Sequence, residues 1–94
     1  MLELTKDNFK KEVLESAVPV LVDFFAVWCG PCQMMLPVVE QLAKDVDAKK
    51  AKVAKINVDE QPELAEKYGV MSIPTFILFK GGKEVERLAG SQSK

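Results

Sequence analysis

Hydrophobic spacing along the chain switches several times between a period of two and a helical period, and this alternation is the first signal of fold class. Leu2 and Leu4 suggest a short first strand. Thr5 or Asp7 can then cap a helix carrying Phe9, Val13 and Leu14 on one face and ending near Ser16. Residues 20–25 are apolar on both faces and rich in β-branched and aromatic types, as in a central strand covered on both sides, and their one polar member is Asp23. From Cys32 onward Met35, Val38, Val39, Leu42 and Val46 recur at helical spacing, with Pro37 inside the pattern as an expected kink. Residues 53–58 predict a third strand. Pro62 suits the first position of a short helix bearing Leu64, Ala65 and Tyr68, with Gly69 as its stop. Residues 75–79 are strongly β-prone, Gly81-Gly82 is a two-residue hairpin connection, and residues 85–88 form the returning strand. The order β-α-β-α-β-α-β-β predicts one α/β domain over residues 1–94, its sheet parallel where crossovers connect it and antiparallel at the final hairpin.

Composition narrows the chemistry. With 94 residues, 48% of them hydrophobic and 29% charged, the chain has the makings of one core rather than of a disordered or repetitive protein. A formal charge of −1 gives no field that would draw in nucleic acid or an acidic membrane. The basic run Lys49, Lys50 and Lys52 has no interleaved aromatics or phosphate loop, so it reads as a solvated turn. No basic cluster followed by an apolar segment opens the sequence, and the longest apolar stretch, residues 18–22, is too short to span a bilayer, so a cytoplasmic protein is expected. A count of zero histidines removes Ser-His and Cys-His catalytic pairs, H-E-x-x-H sites and Cys2His2 zinc sites.

The two cysteines, Cys29 and Cys32, lie in Trp28-Cys29-Gly30-Pro31-Cys32, between the central strand and the following helix, where open α/β sheets place their sites. Spacing of i and i+3 in a first helical turn puts both sulfurs on one face, close enough to cycle between dithiol and disulfide. Cys29 precedes the helix and faces its unsatisfied N–H groups, which favour a thiolate, so it is expected to be the nucleophile. Cys32, one turn in and less exposed, is expected to resolve the mixed disulfide. Half a zinc site and two inert core cysteines are the competing readings. Zinc needs ligands that this chain does not supply by itself, and Gly30-Pro31 is loop chemistry rather than core filling. Asp23 lies six residues before Cys29 in an apolar strand, where an unpartnered carboxyl tends to keep its proton and becomes a candidate proton shuttle.

Several segments together carry a family likeness: Val22-Asp23-Phe24, Trp28-Cys29-Gly30-Pro31-Cys32, Pro37, Val53-Ala54-Lys55-Ile56-Asn57-Val58-Asp59, Lys67-Tyr68-Gly69, Ile73-Pro74-Thr75 and Phe79-Lys80-Gly81-Gly82. In their order and spacing the chain resembles the thioredoxin family over essentially its whole length. The resemblance implies a thioredoxin fold and a protein disulfide reductase with no bound cofactor or metal, recharged with electrons from NADPH by a thioredoxin reductase and acting on disulfide-containing proteins. It implies that Asp23 takes the Cys32 thiol proton as the mixed disulfide is resolved, and that Lys55 tunes Asp23 electrostatically. It implies a cis bond before Pro74, against the ordinary preference for trans, with the Ile73 backbone offered to an extended substrate segment. Trp28, Gly30, Pro31, Val58, Ile73, Ala89 and Gly90 correspond to the family's apolar contact surface around the reactive sulfur.

Three departures from the family pattern stand out. Gln33 replaces the usual lysine or arginine, and Phe25 occupies a position often held by a second tryptophan. The sequence also stops where the family continues into a final helix. Self-association through the sheet face that such a helix would cover is therefore an expectation. An oxidase or isomerase of the same fold, or a non-enzymatic binding module, are the competing functions.

Overall fold

The computed structural model describes residues 1–89. Five strands, β1 (Leu2–Glu3), β2 (Val20–Phe25), β3 (Lys52–Asn57), β4 (Thr75–Lys80) and β5 (Lys83–Ala89), form one sheet in the order β1-β3-β2-β4-β5. Helix α1 (Gly30–Asp45) joins β2 to β3, and α2 (Pro62–Lys67) precedes β4. β3 runs parallel to β1 and β2, whereas β4 runs antiparallel to both β2 and β5. The reversal of direction thus comes one connection before the hairpin, because the segment after α2 re-enters the sheet from the end at which β3 left it.

The segment expected to be the first α-helix is a π-type turn, Lys10–Leu14, closed by a 2.9 Å hydrogen bond from the Glu15 N–H to the Lys10 carbonyl. Its apolar residues explain the wider turn. Phe9, Val13 and Leu14 stand at i, i+4 and i+5, a spacing that a bond to residue i−5 stacks over one patch of core better than an α-helix does. Neither Thr5 nor Asp7 caps it, since its N-cap is Phe9 with no side-chain cap bond; Thr5 instead closes the turn that leads into it, its side chain accepting the Asp7 N–H at 3.2 Å and its carbonyl the Phe9 N–H at 3.0 Å.

Alternation along the strands divides the interior between the two faces of the sheet. Val20, Val22 and Phe24 of β2, Ala54 and Ile56 of β3, and Ile77 and Phe79 of β4 meet Phe9, Val13 and Leu64 in the larger cluster. Phe9, Tyr68 and Phe79 pack there with ring centroids 5.3 to 5.8 Å apart, two of the contacts edge-to-face. On the other face Val53 and Phe76, with Leu21, pack against Met35, Val39, Ala43 and Val46 around α1. Pro37 sits inside α1 and does not end it. Beside α1 an open apolar groove runs between Val38, Leu42, Phe76 and Leu88. Among the described residues no helix follows β5.

The hairpin between β4 and β5 turns on Gly81 and Gly82, both at positive φ (62° and 80°), the backbone that two-residue hairpins require. A Cβ at Gly82 would lie 2.8 Å from the Leu14 carbonyl oxygen, so the turn also packs against the first helical segment through a bare backbone.

Candidate active site

β2 delivers the chain to the site. Past Phe25, Ala26 is fully buried and its carbonyl accepts the Cys29 N–H at 3.2 Å, which turns the backbone into α1. Cys29 is the N-cap of that helix, with φ −85° and ψ 112°, and its Sγ accepts the Cys32 N–H at 3.2 Å. Gly30 and Pro31 occupy the first two helical positions, where a proline's missing N–H leaves no intrahelical bond unmade. Cys29 and Cys32 are joined in a disulfide with their Cα atoms 5.2 Å apart. Cys29 is 5% exposed and Cys32 2%, so the expected order of access holds by a narrow margin.

A second loop faces the disulfide. The Ile73–Pro74 peptide is cis, and the Ile73 carbonyl oxygen lies 3.9 Å from Cys29 Sγ. Three anchors fix this loop. The Val70 N–H donates to Ala65 O at 2.8 Å, Gly69 adopts φ 63°, and the Arg87 guanidinium donates to the carbonyls of Tyr68 and Gly69 while paired with Glu84. Between the loops lies a groove lined by Trp28, Cys29, Gly30, Pro31, Val58, Ile73, Val70, Met71 and Ser72.

Trp28 is not a core residue: it is 69% exposed, and its indole N–H donates to the Asp59 carboxylate at 2.6 Å. That bond ties the rim of α1 to the end of β3. Val58 extends the strand pairing through its N–H to Phe25 O at 2.9 Å and packs against the buried cluster around the cysteines. Ala89 pairs in register with Thr75, next to Pro74, but does not line the groove. Gly90 lies outside the described residues.

Asp23 is 1% exposed and its Oδ1 has no hydrogen-bond partner. It shares a sheet face with Leu21 and Phe25, the face on which α1 packs, and its register partners are Lys55 on β3 and Phe76 on β4. Burial pushes the Asp23 pKa from 3.8 up to about 6, and the positive charge of Lys55 opposes the rise. The Lys55 ammonium also sits 5.4 Å from the centroid of the Phe25 ring, so the aromatic residue at that position holds the cation beside the carboxyl. Gln33 supplies no positive charge near the sulfurs and instead donates its side-chain amide to Val27 O at 3.2 Å.

Asp59, Val70, Met71 and Ser72 belong to the site without having been singled out from sequence. Their signal is adjacency: Asp59 follows Val58, and the other three lead into Ile73-Pro74. Among the described residues no three His, Cys, Asp or Glu side chains gather as a metal-binding group, and no helix is long and apolar enough to cross a membrane.

A disulfide closed between the cap and the first turn of a helix, with a groove along its outer sulfur and an ionisable acid on the facing sheet, equips a protein to trade that bond with another disulfide. Fold and site together define a thiol–disulfide oxidoreductase. Residues 1–94 match the family profile described as Thioredoxin. Among curated proteins, "Thioredoxin 1" of Nostoc sp. is 51% identical over 92 residues, covering 98% of this chain and 85% of that protein. The thioredoxin of Chlorobaculum thiosulfatiphilum is 53% identical over 92 residues, with coverages of 98% and 84%. That of Alicyclobacillus acidocaldarius is 54% identical over 93 residues, with coverages of 99% and 87%. The chain belongs to the thioredoxin family and is a protein disulfide reductase.

Proposed function

We propose that Cys29 carries out the attack and Cys32 the resolution in this reduction. The observation that carries the reading is the place of Cys29 Sγ, which receives an N–H at the helix N-terminus and stands at the groove. As a thiolate, Cys29 attacks one sulfur of a substrate disulfide. That S–S bond breaks, a mixed disulfide forms at Cys29, and the other substrate sulfur leaves and takes up a proton. Cys32 then loses its thiol proton to the Asp23 carboxylate and attacks Cys29 Sγ. The mixed disulfide breaks, the second substrate sulfur departs as a thiolate and takes up a proton, and the Cys29–Cys32 disulfide closes. Two electrons pass from protein to substrate.

Lys55 keeps enough of Asp23 ionised near neutral pH to accept the proton. Trp28, Gly30, Pro31, Val58 and Ile73 form the docking face, with Pro74 holding the Ile73 backbone in place, and the family likeness adds Ala89, next to this face through its pairing with Thr75, and Gly90. NADPH, through a thioredoxin reductase, returns the disulfide to the dithiol, which makes the protein an electron carrier of the cytoplasm working as one domain. The apolar groove beside α1 supports self-association, since Val38, Leu42 and Leu88 are exposed there. Sedimentation at several concentrations checks that part, and a monomer at every concentration refutes it. Insulin reduction by dithiothreitol tests the central reading. The wild type accelerates precipitation of the reduced chains and Cys29→Ser does not, whereas equal rates for the two would overturn the assignment.

A further inference from the structure

Met71 is 97% exposed, so it adds almost nothing to the core, yet it stands on the rim of the groove that holds Cys29. Its position is not a loose end of the loop. Val70 and Ile73 on either side pack against the buried core, and the Val70 N–H is bonded to Ala65 O at 2.8 Å, which leaves Met71 turned outward. The opposite wall carries Trp28 and Pro31. Any mixed disulfide must place the substrate's sulfur on Cys29 Sγ, so residues beside the substrate's cysteine are drawn across this rim. An unbranched, polarisable thioether adapts to apolar side chains of different shape. The same exposure leaves it open to oxidants.

We propose that Met71 is a specificity-determining contact for substrates with an apolar side chain next to the disulfide cysteine, and that oxidation of its thioether by a peroxide switches the preference off. The proposal rests on the reading of this groove as the docking face. In the oxidation the peroxide O–O bond breaks and one oxygen is transferred to the sulfur. The thioether becomes a sulfoxide, losing two electrons, and hydrogen peroxide is reduced to water. The product is polar where the thioether was apolar, so contact with an apolar neighbour is lost.

Two synthetic peptide disulfides that differ only in leucine or serine beside one cysteine probe the preference. The prereduced protein is mixed with each, and the second-order rate is read by acid quench and thiol alkylation. The leucine peptide is expected to react about three to five times faster, the scale of one partly buried apolar contact. Met34 is 80% exposed, so peroxide is applied in a Met34→Leu background to the disulfide form, in which both cysteines are protected. After reduction with dithiothreitol, protein carrying one added oxygen at Met71 by mass spectrometry is expected to show a leucine-to-serine ratio near one, as is Met71→Gln without peroxide. Met71→Leu keeps its ratio through the same peroxide treatment. A ratio that survives sulfoxide formation, or that collapses in peroxide-treated Met71→Leu, overturns the proposal. Trp28→Ala separates the two levels. If it slows both peptides while Met71→Gln leaves the ratio intact, Met71 is not the contact, and if neither variant has any effect the docking face itself is refuted.

Discussion

On its inner side the Cys29–Cys32 disulfide faces the sheet, where Cys32 and Asp23 are almost wholly buried and one carboxyl oxygen has no partner. On its outer side it faces the groove, where Trp28 and Met71 give most of their surface to water. Both sides meet at the same helix N-terminus. Low polarity inside changes where a proton sits and therefore the rate of a chemical step. Apolar surface held out in water does nothing until a partner covers it, and therefore acts on binding. Inner substitutions should change turnover and pH dependence, and outer ones should change apparent affinity.

The largest expected effect falls on the sulfur that belongs to both sides. Cys29→Ser replaces a thiol by a hydroxyl that is a far poorer nucleophile at neutral pH, and disulfide reduction should fall by about a thousandfold or more. Cys32→Ser should also lose turnover, but its Cys29 still attacks, so a stable mixed disulfide with substrate accumulates and is visible by nonreducing electrophoresis. Equal trapping by the two variants would show that the sulfurs are interchangeable, and the contrast between inner and outer sides would not hold.

Next in size is the loss of the acid. Asp23→Asn removes the proposed acceptor for the Cys32 proton and should slow resolution of the mixed disulfide by about a hundredfold at pH 7 to 8. In the wild type the same step should fall off below a pH of about 6, as the carboxylate fills with a proton, and the variant should lack that limb. Stability moves in the opposite direction. A carboxyl pKa raised from 3.8 to about 6 means that the folded protein holds a proton the unfolded chain has already released. Stability therefore falls as pH rises through that interval and is level above it. Asp23→Asn should be more stable than the wild type at pH 8 by roughly 1–3 kcal/mol, and the two unfolding curves should converge near pH 4. Denaturant titrations at the two pH values check both the sign and the window.

The inner half of this arrangement was more legible in the sequence than the outer half. A carboxylate inside Val20-Leu21-Val22-Asp23-Phe24-Phe25 is conspicuous because a run apolar on both faces leaves no route to water, and the register then brings Lys55 beside it. Trp28-Cys29-Gly30-Pro31-Cys32 likewise announces a helix cap through its own residue types. The outer half depends on contacts distant in sequence. Trp28 meets Asp59 across 31 positions, and the loop bearing Met71 reaches Cys29 only because β4 returns antiparallel beside β2. No local pattern encodes that approach, and the Ile73-Pro74 dipeptide marks it only through family resemblance. The first helical segment shows a subtler limit: Phe9, Val13 and Leu14 are compatible with an α-helix and with a wider turn, and the core they enter selects the wider one.

The smallest predicted effect tests the outer side alone. Among the described residues the Trp28 side chain makes one hydrogen bond, to Asp59, and it contributes little buried surface to the fold. Trp28→Ala should therefore leave thermal stability within about 1 kcal/mol of the wild type while raising KM for a protein disulfide by about fivefold to tenfold. Because the indole lies at the groove and bonds to Asp59 rather than to Asp23, kcat and its dependence on pH should stay as they are if the proposed proton transfer runs from Cys32 to Asp23. Asp59→Asn weakens the bond that orients the ring without removing apolar surface, and should give a smaller rise in KM of the same kind. If Trp28→Ala instead lowers kcat and displaces the limb near pH 6, the tryptophan shields the inner side from water. Docking and proton transfer would then depend on the same side chain.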